Sequence, residues 1–238
     1  ILLVHLYGQP AKLKEILQIA KQYKITLIED AAESLGSMYE EKMTGSFGQM
    51  GIYSFNGNKI ITTSGGGSLI SNEGLLIEKA KFLSSQARDK APHYQHSEIG
   101  YNYRMSNILA GIGLGQLEVL EERIKKKRWI FDYYKNKLES SGKFSFAEDL
   151  KNTCSNKWLS TVISNDESPE ILRTRLESNN IEARPLWKPL HLQPVFKDIP
   201  KYIDGTSEKI FMKGLCLPSG TKMEEEDLET ITDLLLNK

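Results

Sequence analysis

The stretch ILLVHLYGQPAKLKEILQIAKQYKITLIED, residues 1–30, decides the fold. Residues 1–6 read as a buried strand, closed by Gly8-Gln9-Pro10. Leu13, Ile16, Leu17, Ala20 and Tyr23 then recur at helical spacing, with lysines and a glutamate between them, which predicts an amphipathic helix. Residues 25–28 form a short apolar run that ends in Glu29-Asp30. Strand, helix and strand in so short a stretch make the βαβ unit of a parallel sheet.

The same reading extends outward. Residues 51–55 and 68–71 are strand candidates, and 73–84 predict a further helix. From Ser106 to about Leu138 the pattern is helical over many turns. Ser106 is placed to cap it, and Gly111, Gly113 and Gly115 would let another element come close. Beyond about Ser140 the character changes: 158–164 read as a strand, 168–178 as a helix opening Ser-Pro-Glu, and 223–237 as a last helix. The expected fold class is α/β, with a large, mostly parallel, doubly wound sheet domain over residues 1–120. Residues 121–238 are expected to form a long connecting helix and a smaller C-terminal α/β domain. The chain opens on Ile1 in mid-strand, so an N-terminal part of the expected fold is taken to be missing.

Composition narrows the function classes. Thirty-one basic residues balance 31 acidic ones, so charge gives no case for nucleic acid or an anionic membrane as partner. The hydrophobic share of 39% is enough for a core. No apolar run approaches the ~20 residues of a membrane span. Cys154 and Cys216 stand far apart without metal-ligand spacing, and are read as reduced thiols in a cytoplasmic protein. His93 and His96 have no third ligand at a convincing distance, so they are read as a polar loop and no metal is expected. The run Lys125-Lys126-Lys127-Arg128 is read as the solvated face of a helix.

Ligands of an open parallel sheet gather at the carboxyl ends of its strands. Asp30 ends one predicted strand, and Lys59 follows another in Ser54-Phe55-Asn56-Gly57-Asn58-Lys59. The loop Thr62-Thr63-Ser64-Gly65-Gly66-Gly67 comes next on the same rim. Singly these residues mean little: an Asp after a strand is usually a cap or turn, a Lys a surface charge, three glycines a turn. The loop matches neither Gly-x-Gly-x-x-Gly nor a P-loop. Together they suit pyridoxal phosphate, which needs an amine for its aldehyde, a carboxylate for its pyridine nitrogen and a hydroxyl for its phosphate.

The order of four motifs resembles the DegT/DnrJ/StrS family of sugar aminotransferases, of fold type I among pyridoxal-phosphate enzymes. These are Val4-His5-Leu6-Tyr7-Gly8 with Glu29-Asp30-Ala31-Ala32-Glu33-Ser34; Tyr53 to Lys59 with Thr62-Thr63; Gly100-Tyr101-Asn102-Tyr103-Arg104-Met105-Ser106; and the 185–194 stretch with Pro189-Leu190-His191. The resemblance implies that Lys59 carries the cofactor and is catalytic, and that Asp30 meets the pyridine nitrogen. It places Glu33 near the phenolic oxygen and Ser54 at the phosphate. It also implies that Asn102 reaches the phosphate of the neighbouring subunit's cofactor, in a homodimer with shared sites, and that Arg184 and His191 border the nucleotide sugar.

The family loop more often reads Thr-Thr-Gly-Glu-Gly-Gly. The Ser64-Gly65-Gly66-Gly67 found here resembles the branch that aminates UDP-linked 4-keto-6-deoxy sugars for bacterial glycans and glycoproteins. The expected activity is transfer of an amino group from L-glutamate to such a sugar, with Lys59 moving the proton. Three other readings stand beside it: a sugar dehydratase of the same family, which tends to have His where Lys59 stands; a non-catalytic regulatory or truncated relative; and a Rossmann-type nucleotide binder.

Overall fold

The structure, a computed structural model, describes residues 1–237. Its elements run β1 (Leu2–Val4), α1 (Leu13–Tyr23), β2 (Ile28–Asp30), β3 (Met38–Tyr39), β4 (Lys42–Met43), β5 (Met50–Ser54) and β6 (Gly67–Ile70). There follow α2 (Gly74–Ser84), α3 (Asn107–Glu118), α4 (Leu120–Glu139), β7 (Phe144–Ser145), β8 (Thr153–Cys154) and β9 (Ser160–Ser164). The last are α5 (Pro169–Glu177), β10 (Arg184–Pro185), α6 (Thr206–Lys213), β11 (Gly214–Leu217) and α7 (Glu225–Leu236). They form two compact units, one of residues 1–124 with 149–158, the other of 125–148 with 159–238.

The first unit is built on a sheet of order β1-β2-β5-β6. β1 pairs β2 and β2 pairs β5 in parallel, whereas β6 returns antiparallel to β5. The crossover from β1 to β2 is α1, whose Leu13 and Ala20 pack with Leu3, Leu27 and Tyr39, and with Ile16 and Leu17 beside them. The 3.6-residue period puts 13, 16, 17 and 20 on one stripe. Tyr23, expected on that stripe, is exposed, because the helix ends there and Lys24 turns left-handed as its cap. A small three-stranded sheet, β4-β3-β8, brings the chain back from residue 153 onto this unit.

The long helical pattern after Ser106 is two helices. Ser106 caps α3, its hydroxyl accepting the Leu109 N–H, and the chain breaks at Val119 before α4. Of the three glycines in α3 only Gly113 faces a close neighbour, the Thr63 methyl; a side chain at Gly111 or Gly115 would meet open space.

The second unit carries a sheet of order β10-β11-β9-β7, antiparallel throughout. Its core joins Ile130, Tyr134 and Leu138 of α4, Leu172 and Leu176 of α5, Leu215 and Leu217 of β11, and Leu228, Ile231 and Leu235 of α7. Lys127 departs from the solvated face expected of its run: it is only 8% exposed. One turn before Ile130 and Phe131 and two before Tyr134, it falls on the helix's inward stripe, where its aliphatic stem can be covered. Among the described residues, no helix is long and apolar enough to cross a membrane.

Candidate active site

The first unit gathers the chemistry at the carboxyl ends of β2 and β5. β2 delivers two adjacent carboxylates to opposite environments, as strand alternation requires. Glu29 is fully buried, while Asp30 stands half-buried at the strand end. Asp30 Oδ1 accepts the Ala32 N–H at 3.1 Å, which starts the turn leading to Glu33. Glu33 is itself buried, and one of its oxygens accepts the Tyr7 N–H at 2.5 Å. Tyr7 reaches that position through a left-handed backbone, φ 55°, in the tight turn after β1.

Lys59 comes from the loop after β5. Its N–H donates to the Asn56 carbonyl at 3.0 Å, closing the turn Asn56-Gly57-Asn58-Lys59. The loop is pinned at its base by Phe55, which donates to Gly66 O and accepts from the Thr63 N–H. Buried Ile60 and Ile61 anchor it from within. The ammonium that results lies 3.9 Å from Glu33 Oε1 and 4.3 Å from the centre of the Trp158 ring.

Burial pushes the Lys59 amine below the ordinary lysine range, against the opposing pull of Glu33 and Asp30. The Glu33 carboxyl is pushed up by burial, only partly countered by the Tyr7 N–H and by Lys59. Burial thus biases each partner toward its neutral form, while their mutual attraction opposes it. Ser54, at the end of β5, accepts the Asn56 N–H at 3.3 Å, so its hydroxyl proton is left for another acceptor.

The structure therefore brings Lys59, Glu33 and Asp30 together, with Ser54 on the same strand end. Asn102 lies elsewhere in this unit, exposed, and bridged to Ser85. Arg184 and His191 belong to the second unit. Arg184, exposed on β10, donates to Glu182 Oε1 at 2.7 Å. His191 Nε2 lies 2.8 Å from Glu208 Oε1, and that contact holds the Glu208 carboxyl below the ordinary range. His93 and His96 are engaged by Gln95 and by the Gln86 carbonyl.

Two supports were not legible in the motifs. Trp158 stands about a hundred residues beyond Lys59, yet its indole N–H donates to the Asn58 carbonyl at 2.8 Å. Asn156 is fully buried and donates from Nδ2 to the carbonyls of both Glu33 and Leu35, each at 2.9 Å. The available signal was a paired one, an Asn and a Trp just before a β-run, and it carries no chemistry by itself.

Comparison with known proteins places the chain. EpsN of Bacillus subtilis (strain 168), provisionally named a pyridoxal phosphate-dependent aminotransferase, is 52% identical over 242 residues, covering 100% of this chain and 62% of its own length. The GDP-perosamine synthase of Escherichia coli O157:H7 is 36% identical over 230 residues, covering 96% of this chain and 62% of its own length. A solved DegT DnrJ EryC1 StrS aminotransferase from Brucella abortus superposes with a TM-score of 0.90 at 26% identity, over 100% of this chain and 63% of its own. The chain thus spans about 62% of the length of these curated relatives. The fold is that of the type I pyridoxal-phosphate enzymes. Residues 1–236 match the family description throughout, and the chain belongs to the DegT/DnrJ/EryC1/StrS aminotransferase family.

Proposed function

We propose that this chain serves a pyridoxal-phosphate aminotransferase that moves an amino group from L-glutamate to the 4-keto group of a nucleotide-linked 4-keto-6-deoxy sugar. The carrier in this reading is UDP, on the resemblance of the Ser64-Gly65-Gly66-Gly67 loop to the UDP-sugar branch, and the product feeds bacterial glycan or glycoprotein synthesis. The observation that carries the reading is Lys59: a half-buried amine 3.9 Å from Glu33, beside the strand end that bears Asp30.

The residues present fit the cofactor. Its aldehyde requires an amine that gives up its proton readily, and burial lowers the Lys59 pKa in that direction. Its pyridine nitrogen requires a carboxylate, and Asp30 has one oxygen beyond the one held by Ala32. Its phosphate would meet the Ser54 hydroxyl, whose proton is free of the Asn56 bond. When bound, pyridoxal phosphate supplies an electron-accepting ring that stabilises negative charge on the substrate carbon.

The protein's own part is positional and protic. Lys59 Nζ carries the proton that leaves one carbon and returns to another. Glu33, held by Tyr7, faces Nζ at 3.9 Å and acts on it through its charge. Asp30 keeps a positive pyridine nitrogen paired. In this reading Arg184 and His191 contact the sugar nucleotide, and Asn102 reaches a second subunit's cofactor in a cytoplasmic homodimer.

Borohydride reduction in the presence of pyridoxal phosphate, followed by peptide mapping, tests the anchor: a pyridoxyl group is expected on the Lys59 peptide. Lys59→Ala should lose the label and reduce turnover by a factor of at least ~10⁴, as removal of a combined anchor and base does. A folded variant with full activity would sink the assignment. A second reading has GDP as carrier, favoured by the 36% identity with a GDP-perosamine synthase. Formation of 2-oxoglutarate from L-glutamate with the UDP- or the GDP-linked keto sugar decides between them.

A further inference from the structure

We infer that Trp158 is the positioning residue for the reactive amine, holding both the Lys59 ammonium and the turn that carries it. This rests on the reading of Lys59 as the amine that does the chemistry. Two separate contacts come from one side chain. The ring face lies 4.3 Å from Lys59 Nζ, and the indole N–H donates to the carbonyl of Asn58, the residue immediately before Lys59. The first restrains the end of a long flexible side chain, the second its root.

Trp158 is itself rigidly mounted. It is 1% exposed, and its N–H donates to Asn156 Oδ1 at 2.9 Å. The Asn156 amide in turn binds the carbonyls of Glu33 and Leu35. One buried framework therefore sets the platform beneath Lys59 and the backbone of the carboxylate facing it. The distance between amine and carboxylate is fixed by neither side chain alone.

The ring also has an electrostatic effect. Its negative face favours the charged amine, which partly offsets the burial that disfavours it. The other charged groups around Lys59 are Glu33, from the turn after β2, and Asp30, from the strand end. Lys157, next to Trp158, has its ammonium on Asp149 at 2.6 Å. Loss of the ring should thus lower the pH at which Lys59 becomes a free amine, with both carboxylates still in place.

The test is competitive trace acetylation of the full chain with acetic anhydride, without cofactor, reading the Lys59 peptide by mass spectrometry against pH. The titration midpoint in Trp158→Leu is expected about 0.5–1 unit below that of the unaltered protein. Trp158→Phe, which keeps a ring face and loses the indole N–H, should fall between the two. Midpoints unchanged in both variants, or a midpoint that rises in Trp158→Leu, overturn the inference. If Trp158→Leu fails to fold, Trp158→Phe decides alone: a lower midpoint supports the inference and an unchanged one refutes it. Acetylation needs no cofactor, so the two readings fail separately. A shifted midpoint with no pyridoxyl on Lys59 refutes the proposed function, and pyridoxyl on Lys59 with no shift refutes the role of Trp158.

Discussion

Glu29 and Asp30 show how one peptide step separates structure from chemistry. Glu29 accepts N–H bonds from Gly45 at 2.8 Å and from Phe47 and Gly48 at 2.6 Å, and faces His5 Nε2 at 3.0 Å. Because His5 Nδ1 accepts the Ala11 N–H at 3.1 Å, the ring's own proton sits on Nε2 and points at Glu29. Burial alone would raise the Glu29 pKa, but His5 and the three backbone donors outweigh it and hold the carboxyl below the ordinary range. A depressed folded pKa contributes stability above the unfolded value and loses it as pH falls through the folded one. Glu29→Gln turns an NH₂ toward donors, and should cost about 2–4 kcal/mol at pH 7. In urea denaturation the gap between the two proteins should narrow as the pH falls below the ordinary carboxylate range. A gap that stays constant with pH would mean that the Glu29 charge is not what holds the turn. Glu29 and Asp30 were adjacent in one motif, and only the parity of the strand separates the structural carboxylate from the one at the rim.

At the scale of elements, what the sequence made legible was local. The βαβ unit, α1, α5 with its Ser168 cap and the last helix follow from periodicity and capping, which act within a few residues. The break at Val119 was not legible, because residues 116–121 hold no Gly, Pro or capping side chain to mark it. Nor was β11 read as a strand, since Gly214–Leu217 is apolar without alternation; all four residues are buried between β9 and β10. The β3–β4 hairpin shows a local conflict that the fold tolerates. Glu40 and Glu41 occupy a two-residue turn with φ 45° and 63°, the left-handed geometry that favours Asn and Gly. Glu41→Gly should therefore stabilise the protein by about 0.5–1 kcal/mol, seen as a higher midpoint in thermal melting. No gain, or a loss, would show that the Glu41 side chain makes a compensating contribution.

Over the whole molecule the decisive feature is an excursion. The chain leaves the first unit at residue 124, returns to it for residues 149–158, and leaves again. That short return carries Asn156 and Trp158 to a site otherwise assembled from residues 5–67, which is why no motif announced them. Local sequence encodes the rim, but the clamp on Lys59 arrives from a hundred residues away. Asn156 fastens the return: its N–H donates to Ser37 Oγ at 2.9 Å, its amide spans Glu33 and Leu35, and its Oδ1 takes the Trp158 N–H. Gly8 makes room for it, since a Cβ there would lie 1.9 Å from Asn156 Oδ1. Asn156→Ala strands two buried carbonyls and one N–H, at a cost of about 2–4 kcal/mol. The loss should be confined to the first unit. Hydrogen exchange should accelerate at the amides of Ser34, Ser37 and Trp158, while those of Leu215 to Leu217 in the second unit keep their protection. Acceleration of both groups alike would mean that the two units unfold as one, and that Asn156 secures the molecule rather than the site.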